Sequence, residues 1–509
     1  MKRLICIWLA VCLLLSFGGC SYDYSDYIPN GGGLADDKPQ EPTQPSDGDK
    51  IITLTFYKEK GLNPYLTTDY TNRVLMSLMY QGLFATDSGY ETLPVLCGSY
   101  TQSPDHKTHT FTVDPKATFS DGTPVTARDV VASLNAAKES DYYSGRLTHI
   151  TSVSLSDGER IVVNTDTAME NLPILLDIPV VPEAQVGAKM PIGSGPYILE
   201  DTVVGPYLKK RTNWWCQAVL PISTPAIALM EATSVSGIRD DFQFNGLNFA
   251  LTDPSSDKYV DYRSDAEMWN CESGLFLYIG CNEDSTVFDS PELRAALTYA
   301  IDRDSLAGKF YRGFAQSATL PASPYCPYYN KALAGKYTYN AAKFADAVTA
   351  SGKQGSTVVL LVNSDDSLRL RAARAVGDML SAGGFVVEMK ELGGTAYEEA
   401  IKRREFDLYL GKTRLSPNMD LSAFFYTWGE LSYGGIDDLA AYTLCLEALA
   451  DEGNYYNLHR TVMEQGLLCP VLFCNYTVYT TRGLFSDLSP ARDNVFCYSI
   501  GKTMESIMP

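Results

Sequence analysis

From Ile51 onward the spacing of apolar and polar positions changes period along the chain, and the period assigns the elements. IITLTFY alternates with period two and predicts a strand, GLNPYL a turn, and the run from Thr71 to Leu83 a helix. THTFTV predicts a further strand. In FSDGTPVTARDVVASLNAAKES the SDGTP turn leads into an amphipathic helix, with Thr126 and Asp129 as a capping box. VSLSDGERIVVNT predicts a hairpin turning at Asp157 and Gly158. Strands and helices mix here without regular alternation.

The second half is more regular. Ser290 and Pro291 suit the N-cap and first position of a helix over SPELRAALTYAIDRDSL, and Asn340 caps NAAKFADAVTASG, which stops at Gly352. Beyond it, STVVLLVN, FVVEMKEL and FDLYL predict strands, separated by helices over SLRLRAARAVGDMLSAGG and TAYEEAIKRRE. A β-α-β-α-β order makes the three strands parallel in one sheet with right-handed crossovers. Ligands of open α/β sheets sit beyond the carboxyl ends of such strands, and GKTRLSPNMD, from Gly411 to Asp420, leaves the third one.

The first twenty residues place two cations before a short apolar run that ends in Gly18, Gly19 and Cys20. This resembles a bacterial lipoprotein export signal, which implies acylation of Cys20 as the mature N-terminus; an ordinary secretory signal is the alternative. Residues 21–50 are rich in Gly, Pro, Asp and Ser and almost lack aliphatic side chains, so they are expected to form a flexible tether. The formal charge of −20 becomes more negative once Lys2 and Arg3 leave with the signal, and an acidic surface excludes nucleic acid as the natural partner. The nine cysteines that remain outside the signal and Cys20 form no CxxC pair, and no disulfide is assigned.

Chemistry is conspicuous by what is missing. There is no Walker-type phosphate loop, no HExxH and no GxSxG, and GSGPY lacks the remainder of a dinucleotide fingerprint. Of His106, His109, His149 and His459, only the first two are close in sequence; they are expected at the surface, because no acid or cysteine stands at ligand spacing. No cofactor or metal is expected, and the chain is not expected to be an enzyme.

Several segments in order resemble the extracellular solute-binding proteins of family 5, the peptide and nickel receptors of ABC importers. GLNPYLTTDYTNRVLMSLMYQGLFATDSGYETLPVL resembles the family's opening, FTVDPKATFSDGTPVTARDVVASL its signature region, PIGSGPYIL with LKKRTNWW its next block, and SPELRAALTYAIDRDSL a later one. The resemblance implies an α/β, two-lobed periplasmic-binding-protein-like fold of the class with two hinge segments, its mixed sheets flanked by helices. Lobe I would take 51–265 with the C-terminal return 470–509, and lobe II 266–469. The motif residues themselves, Asp121 to Pro124, Asp129, Gly193, Gly195 and Pro196, are accounted for by turn and cap chemistry, and Trp214 and Trp215 by the core.

The family's peptide-binding members carry Trp and then Asp in the loop after the equivalent strand, the carboxylate pairing with the ligand's ammonium. Aligned on Phe424, that pattern puts Arg414 near the Trp position and Pro417 near the Asp. Either Asp420 supplies the missing anchor, or Arg414 reverses the sign of the site; a pair between the two that only stiffens the loop is the bland alternative. Asn418 is a further candidate contact in the loop, and the resemblance adds Thr252 and Asp253 from the first lobe and Tyr278 beyond the crossover. The function implied is a monomeric, lipid-anchored, extracytoplasmic receptor that passes oligopeptides or a related small solute to importer permease subunits. A peptide sensor or a surface hydrolase on the same fold are the alternatives.

Overall fold

The computed structural model describes residues 52–203, 205–216, 224–256, 258–262, 265–426, 428–496 and 504–508. The export signal, Cys20 and the tether lie outside the described residues. Lys50–Pro509 forms one compact unit.

Local signals translate directly into local structure. Asp129 Oδ2 accepts from Thr126 N at 2.9 Å and from Thr126 Oγ1 at 2.7 Å, and starts the helix Ala127–Lys138. The strands Ile150–Ser156 and Arg160–Thr165 pair antiparallel around Asp157 and Gly158, whose φ values of 54° and 77° are those of the tight hairpin turns that favour Asp-Gly. With Cys97–Gln102 and Thr108–Val113 they make a four-stranded antiparallel sheet. A second four-stranded sheet runs in the order Thr53–Phe56, Ala226–Glu231, Gly205–Lys210, Tyr197–Thr202.

The blocks GSGPY, FSDGTP and KKRTNWW serve architecture together. Gly193 and Gly195 dock on the last turn of the helix Tyr70–Met79, where Gly195 N donates to Met79 O at 2.8 Å and so satisfies a carbonyl that the helix leaves unpaired. Arg211 then ties the blocks to one another, donating to Phe119 O at 2.7 Å and Ser194 O at 3.0 Å, while Trp214 Nε1 donates to Ser194 O at 2.9 Å.

The third sheet carries the β-α-β-α-β unit. Thr357–Asn363 pairs in parallel with both Val386–Leu392 and Leu408–Arg414, with the helices Ser367–Ala382 and Gly394–Lys402 as crossovers. On the other side, Leu408–Arg414 runs antiparallel to the long strand Ala266–Cys281, which pairs in turn with Cys469–Thr481. Phe249–Thr252 and the short strand Ala315–Ser317 complete this seven-stranded sheet. A bulge between Glu272 and Leu275, with Gly274 at φ 72°, interrupts the long ladder.

The structure differs from the pattern reading in three places. The third parallel strand does not end at Leu410 but continues through Arg414, because Leu275 to Cys281 offer it an antiparallel partner over its full length. The helix expected over SPELRAALTYAIDRDSL breaks into Pro291–Ala300 and Arg303–Lys309. Asp302 caps the second piece, and the buried Arg303 side chain turns inward to donate to Pro470 O at 2.7 Å. His109 is buried rather than at the surface: it sits inside its sheet, Nδ1 2.9 Å from the Tyr100 hydroxyl and Nε2 3.0 Å from His106 O. Burial pushes its pKa down to about 4, so it is neutral. Cys271, Cys281, Cys326, Cys445, Cys469 and Cys474 are buried free thiols, and among the described residues no His, Cys, Asp and Glu cluster could hold a metal ion.

Candidate functional site

A cleft of about 740 Å³ opens where the end of the strand Leu408–Arg414 faces the turn Ser144–Leu147. Arg414 lines it from the strand end, and Arg146 and His149 line it from the facing turn. Arg492, from the segment after the last long strand, completes the floor, with Tyr142 beside it. Exposed Trp428 and Tyr426 stand near its mouth.

The floor is built from buried charge. Arg73 donates to Asp493 Oδ1 through Nε at 3.2 Å and Nη2 at 2.9 Å, and the Tyr142 hydroxyl donates to the same oxygen at 2.9 Å. Arg73 also lies 3.5 Å from the Tyr142 ring centroid, a cation–π contact. Arg146 Nη1 is 2.6 Å from Asp177 Oδ1, and Arg492 Nε is 3.4 Å from Asp493 Oδ2. Burial alone would raise the Asp493 pKa, but Arg73, Arg492 and Arg146 outweigh it and hold the carboxyl well below its usual range. Burial dominates at Asp177 and pushes its pKa up against the pull of Arg146.

The bulge positions the cations. Ser273 O, freed from the ladder, accepts from Arg414 Nη1 at 3.0 Å and Arg492 Nη1 at 3.3 Å, while Arg414 Nη2 donates to the Tyr476 hydroxyl at 2.5 Å. Arg414 has no carboxylate partner among the described residues, so the expected alternative of a pair with Asp420 is not what the side chains do. Asp420 instead closes the turn that leads into the short helix Ser422–Phe425, accepting from Ser422 N at 2.8 Å, and faces His149 Nε2 at 3.2 Å. His149 Nδ1 lies 2.8 Å from Asp166 Oδ1 on its other side.

The imidazole is thus held between two carboxylates. Burial would lower its pKa, but Asp420 and Asp166 outweigh burial and raise it to about 9. Its folded pKa stands above the unfolded value of about 6.5, so the stabilisation is fully present below that pH and is lost as pH rises through about 9. With Asp166 55% exposed and screened by solvent, the contribution at neutral pH is on the order of 2 kcal/mol or less. His149→Gln is expected to melt several degrees below the natural protein at pH 7, with the gap narrowing toward pH 10; a gap independent of pH would contradict the assignment.

The other expected contacts lie elsewhere. Ser416 to Met419 form a turn, with Met419 N donating to Ser416 O at 2.9 Å and Met419 at φ 54°. That turn carries Asn418 away from the cleft, where its side chain accepts from Ser416 Oγ at 2.6 Å and its carbonyl accepts from the Tyr455 hydroxyl. Tyr278 is core: it stands opposite Gly411 across the ladder, just as Tyr409 stands opposite Gly280, and its ring packs edge-on to Phe424 at 5.1 Å. Thr252 is buried with Oγ1 lacking a hydrogen-bond partner, and Asp253 closes a turn by accepting from Ser255 N at 2.9 Å. Of the six candidates the structure brings only Arg414 into the lining, with Asp420 one side chain behind it. The residues that join them, Arg146, His149 and Arg492, carry no local signal; they are ordinary polar residues in a turn and a terminal segment.

A mixed α/β chain with long shared strands and a large cleft lined by charged and aromatic side chains has the build of a two-lobed solute-binding protein, and solved structures agree. MppA, titled a periplasmic murein tripeptide binding protein in its unliganded open form, superimposes with a TM-score of 0.72 at 15% identity, over 91% of this chain and 97% of that one. AppA from Clostridium difficile, titled a putative peptide binding protein, gives 0.70 at 16% identity over 88% and 98%. Residues 91–434 match the family described as bacterial extracellular solute-binding proteins, family 5 Middle, and the chain belongs to that family. Among curated relatives, the glutathione-binding protein GsiB of Salmonella paratyphi A (strain ATCC 9150 / SARB42) is 26% identical over 282 residues, 52% of this chain and 55% of that protein. The match thus spans about half the length of that relative. The oligopeptide-binding protein AppA of Bacillus subtilis (strain 168) is 22% identical over 429 residues, 76% of this chain and 74% of the relative. Proteins of this family bind solutes and are not enzymes, which leaves the surface-hydrolase alternative without support.

Proposed function

We propose that the chain is the substrate-binding lipoprotein of an ABC importer, capturing oligopeptides or a related small solute by closure of two lobes. Lobe I takes 51–265 and 470–509, and lobe II 266–469; Cys20 carries the lipid that holds the monomer outside the membrane, and permease subunits receive the solute. The observation that carries this reading is the cleft of about 740 Å³, lined from both halves of the chain by charged and aromatic side chains. That volume suits a ligand of small-peptide size. Arg414 contacts the solute directly. Asp420 acts through His149, and Asn418, Thr252, Asp253 and Tyr278 hold the surrounding strand and loop in place. The relatives, an oligopeptide-binding and a glutathione-binding protein, support the peptide class.

Thermal melting of the purified protein against pools of di- to pentapeptides tests this, with native mass spectrometry to identify retained solutes. A rise in melting temperature of several degrees with a bound peptide mass is expected. A protein that stays empty and unshifted across all pools would sink the peptide reading.

A further inference from the structure

The cleft is polarised, and its polarity is the reverse of an ammonium site. At the floor, the guanidiniums of Arg73, Arg146, Arg414 and Arg492 pack against the carboxylates of Asp177, Asp493 and Glu272, which leaves a cation in excess. Arg146 is the most telling. Its side chain is 5% exposed and lines the cleft, only Nη1 meets a carboxylate, and Nε and Nη2 have no hydrogen-bond partner. A buried guanidinium with unmade bonds is costly unless something arrives to make them. Arg414 shares the neutral carbonyl of Ser273 with Arg492; Arg492 has Asp493 as its counter-ion, whereas Arg414 meets no carboxylate among the described residues and is repelled by its neighbour until an anion joins it. The acids that line the cleft stand elsewhere. Asp141 and Glu430 are exposed at the mouth, and Asp166 shares the His149 imidazolium with Asp420. No free carboxylate in the loop 415–420 is left for an ammonium.

Resting on the peptide reading above, we propose that the solute enters carboxylate-first. Its free carboxylate docks on Arg146, Arg414 and Arg492 at the floor, and its ammonium, where it has one, faces Asp141 and Glu430 at the mouth. The preferred class is therefore a short peptide or related solute with an unblocked carboxyl end. A planar carboxylate matches the guanidinium fork in a way that a carboxamide does not, since the amide brings no charge and turns one acceptor into a donor. The ammonium end meets solvated acids, which add little.

The test compares three equimolar tripeptide pools on the full purified chain by titration calorimetry: free acids, the same peptides as C-terminal amides, and the same peptides N-acetylated. Amidation is expected to raise the apparent Kd about tenfold or more, and acetylation no more than a few-fold. Equal binding of acids and amides overturns the proposal and leaves the peptide reading standing, as does a larger loss on acetylation than on amidation. Binding of no pool overturns both. Arg414→Gln should erase most of the discrimination between acid and amide while Arg414→Lys keeps part of it, and the unliganded melting temperature shows whether each variant is folded. Full discrimination in folded Arg414→Gln counts against the proposed contact, and the ligand-side comparison decides the matter if neither variant folds.

Discussion

Asp493→Ala is expected to lower the unfolding free energy by about 3–5 kcal/mol, measured by equilibrium denaturation. The carboxylate is the shared partner of Arg73 and Arg492 and the acceptor of the Tyr142 hydroxyl, and its side chain is 6% exposed. Removing it strands two buried guanidiniums, and the cost is the desolvation of charges that no longer have a counter-ion. A contrasting pair makes the prediction specific. Asp157 and Arg160 also form an ion pair, but their side chains are 71% and 54% exposed, so Asp157→Asn, which removes the charge and still suits the positive φ of the turn, should change stability little. Arg73→Met combined with Asp493→Leu removes both charges and should recover part of the loss suffered by the single variant. A single-variant loss below about 1 kcal/mol would falsify the view that Asp493 compensates the buried charge of this network.

Gly193→Ala is the second large effect, expected at about 3 kcal/mol by the same measurement. The reason is steric: a Cβ on Gly193 would run into Met79 O and the Tyr80 ring, and one on the neighbouring Gly195 would stand 2.5 Å from Leu78 O. Neither the helix end nor the segment can withdraw freely. The helix Tyr70–Met79 buries Leu75, Met76 and Leu78 in the core, and Gly193 O is itself held by Ser120 N at 2.9 Å. Gly145, in the turn beside the cleft, has open space where a Cβ would go, so Gly145→Ala should be nearly neutral for stability. Equal losses at both positions would count against close approach as the cause, since the chain-entropy effect of Gly→Ala is a gain in stability.

Those two sites mark how far the sequence could be read. GSGPY stood out as a tight bend, and so it is, but its tightness comes from a helix more than a hundred residues earlier. The same holds for the loop GKTRLSPNMD. The alternation of FDLYL, the crossover helices and the strand order were sufficient to place that segment at the carboxyl edge of a parallel sheet, because each rests on periodicity within a few neighbours. The length of the strand was not, since its last residues, up to Arg414, are strand only by pairing with Leu275 to Tyr278. Tyr278 reads as a polar aromatic candidate in the sequence and becomes core because a glycine, Gly411, lies opposite it.

What the sequence determined by itself was what local forces decide. The capping box at Thr126, the Asp157–Gly158 hairpin, the β-α-β-α-β unit and the family are carried by side chains a few positions apart or by contiguous motifs. Tertiary structure alone decided the partners of charge. Arg73 meets Asp493 across 420 positions, and His149 meets Ser422 across 273. Whether Asp420 was a ligand anchor or a partner within the fold depended on which cation folding delivered to it, and folding delivered His149 rather than Arg414 or open solvent. Electrostatic interaction depends on distance and burial, neither of which is a property of chain position, so the sign of this cleft existed only once the chain had closed on itself.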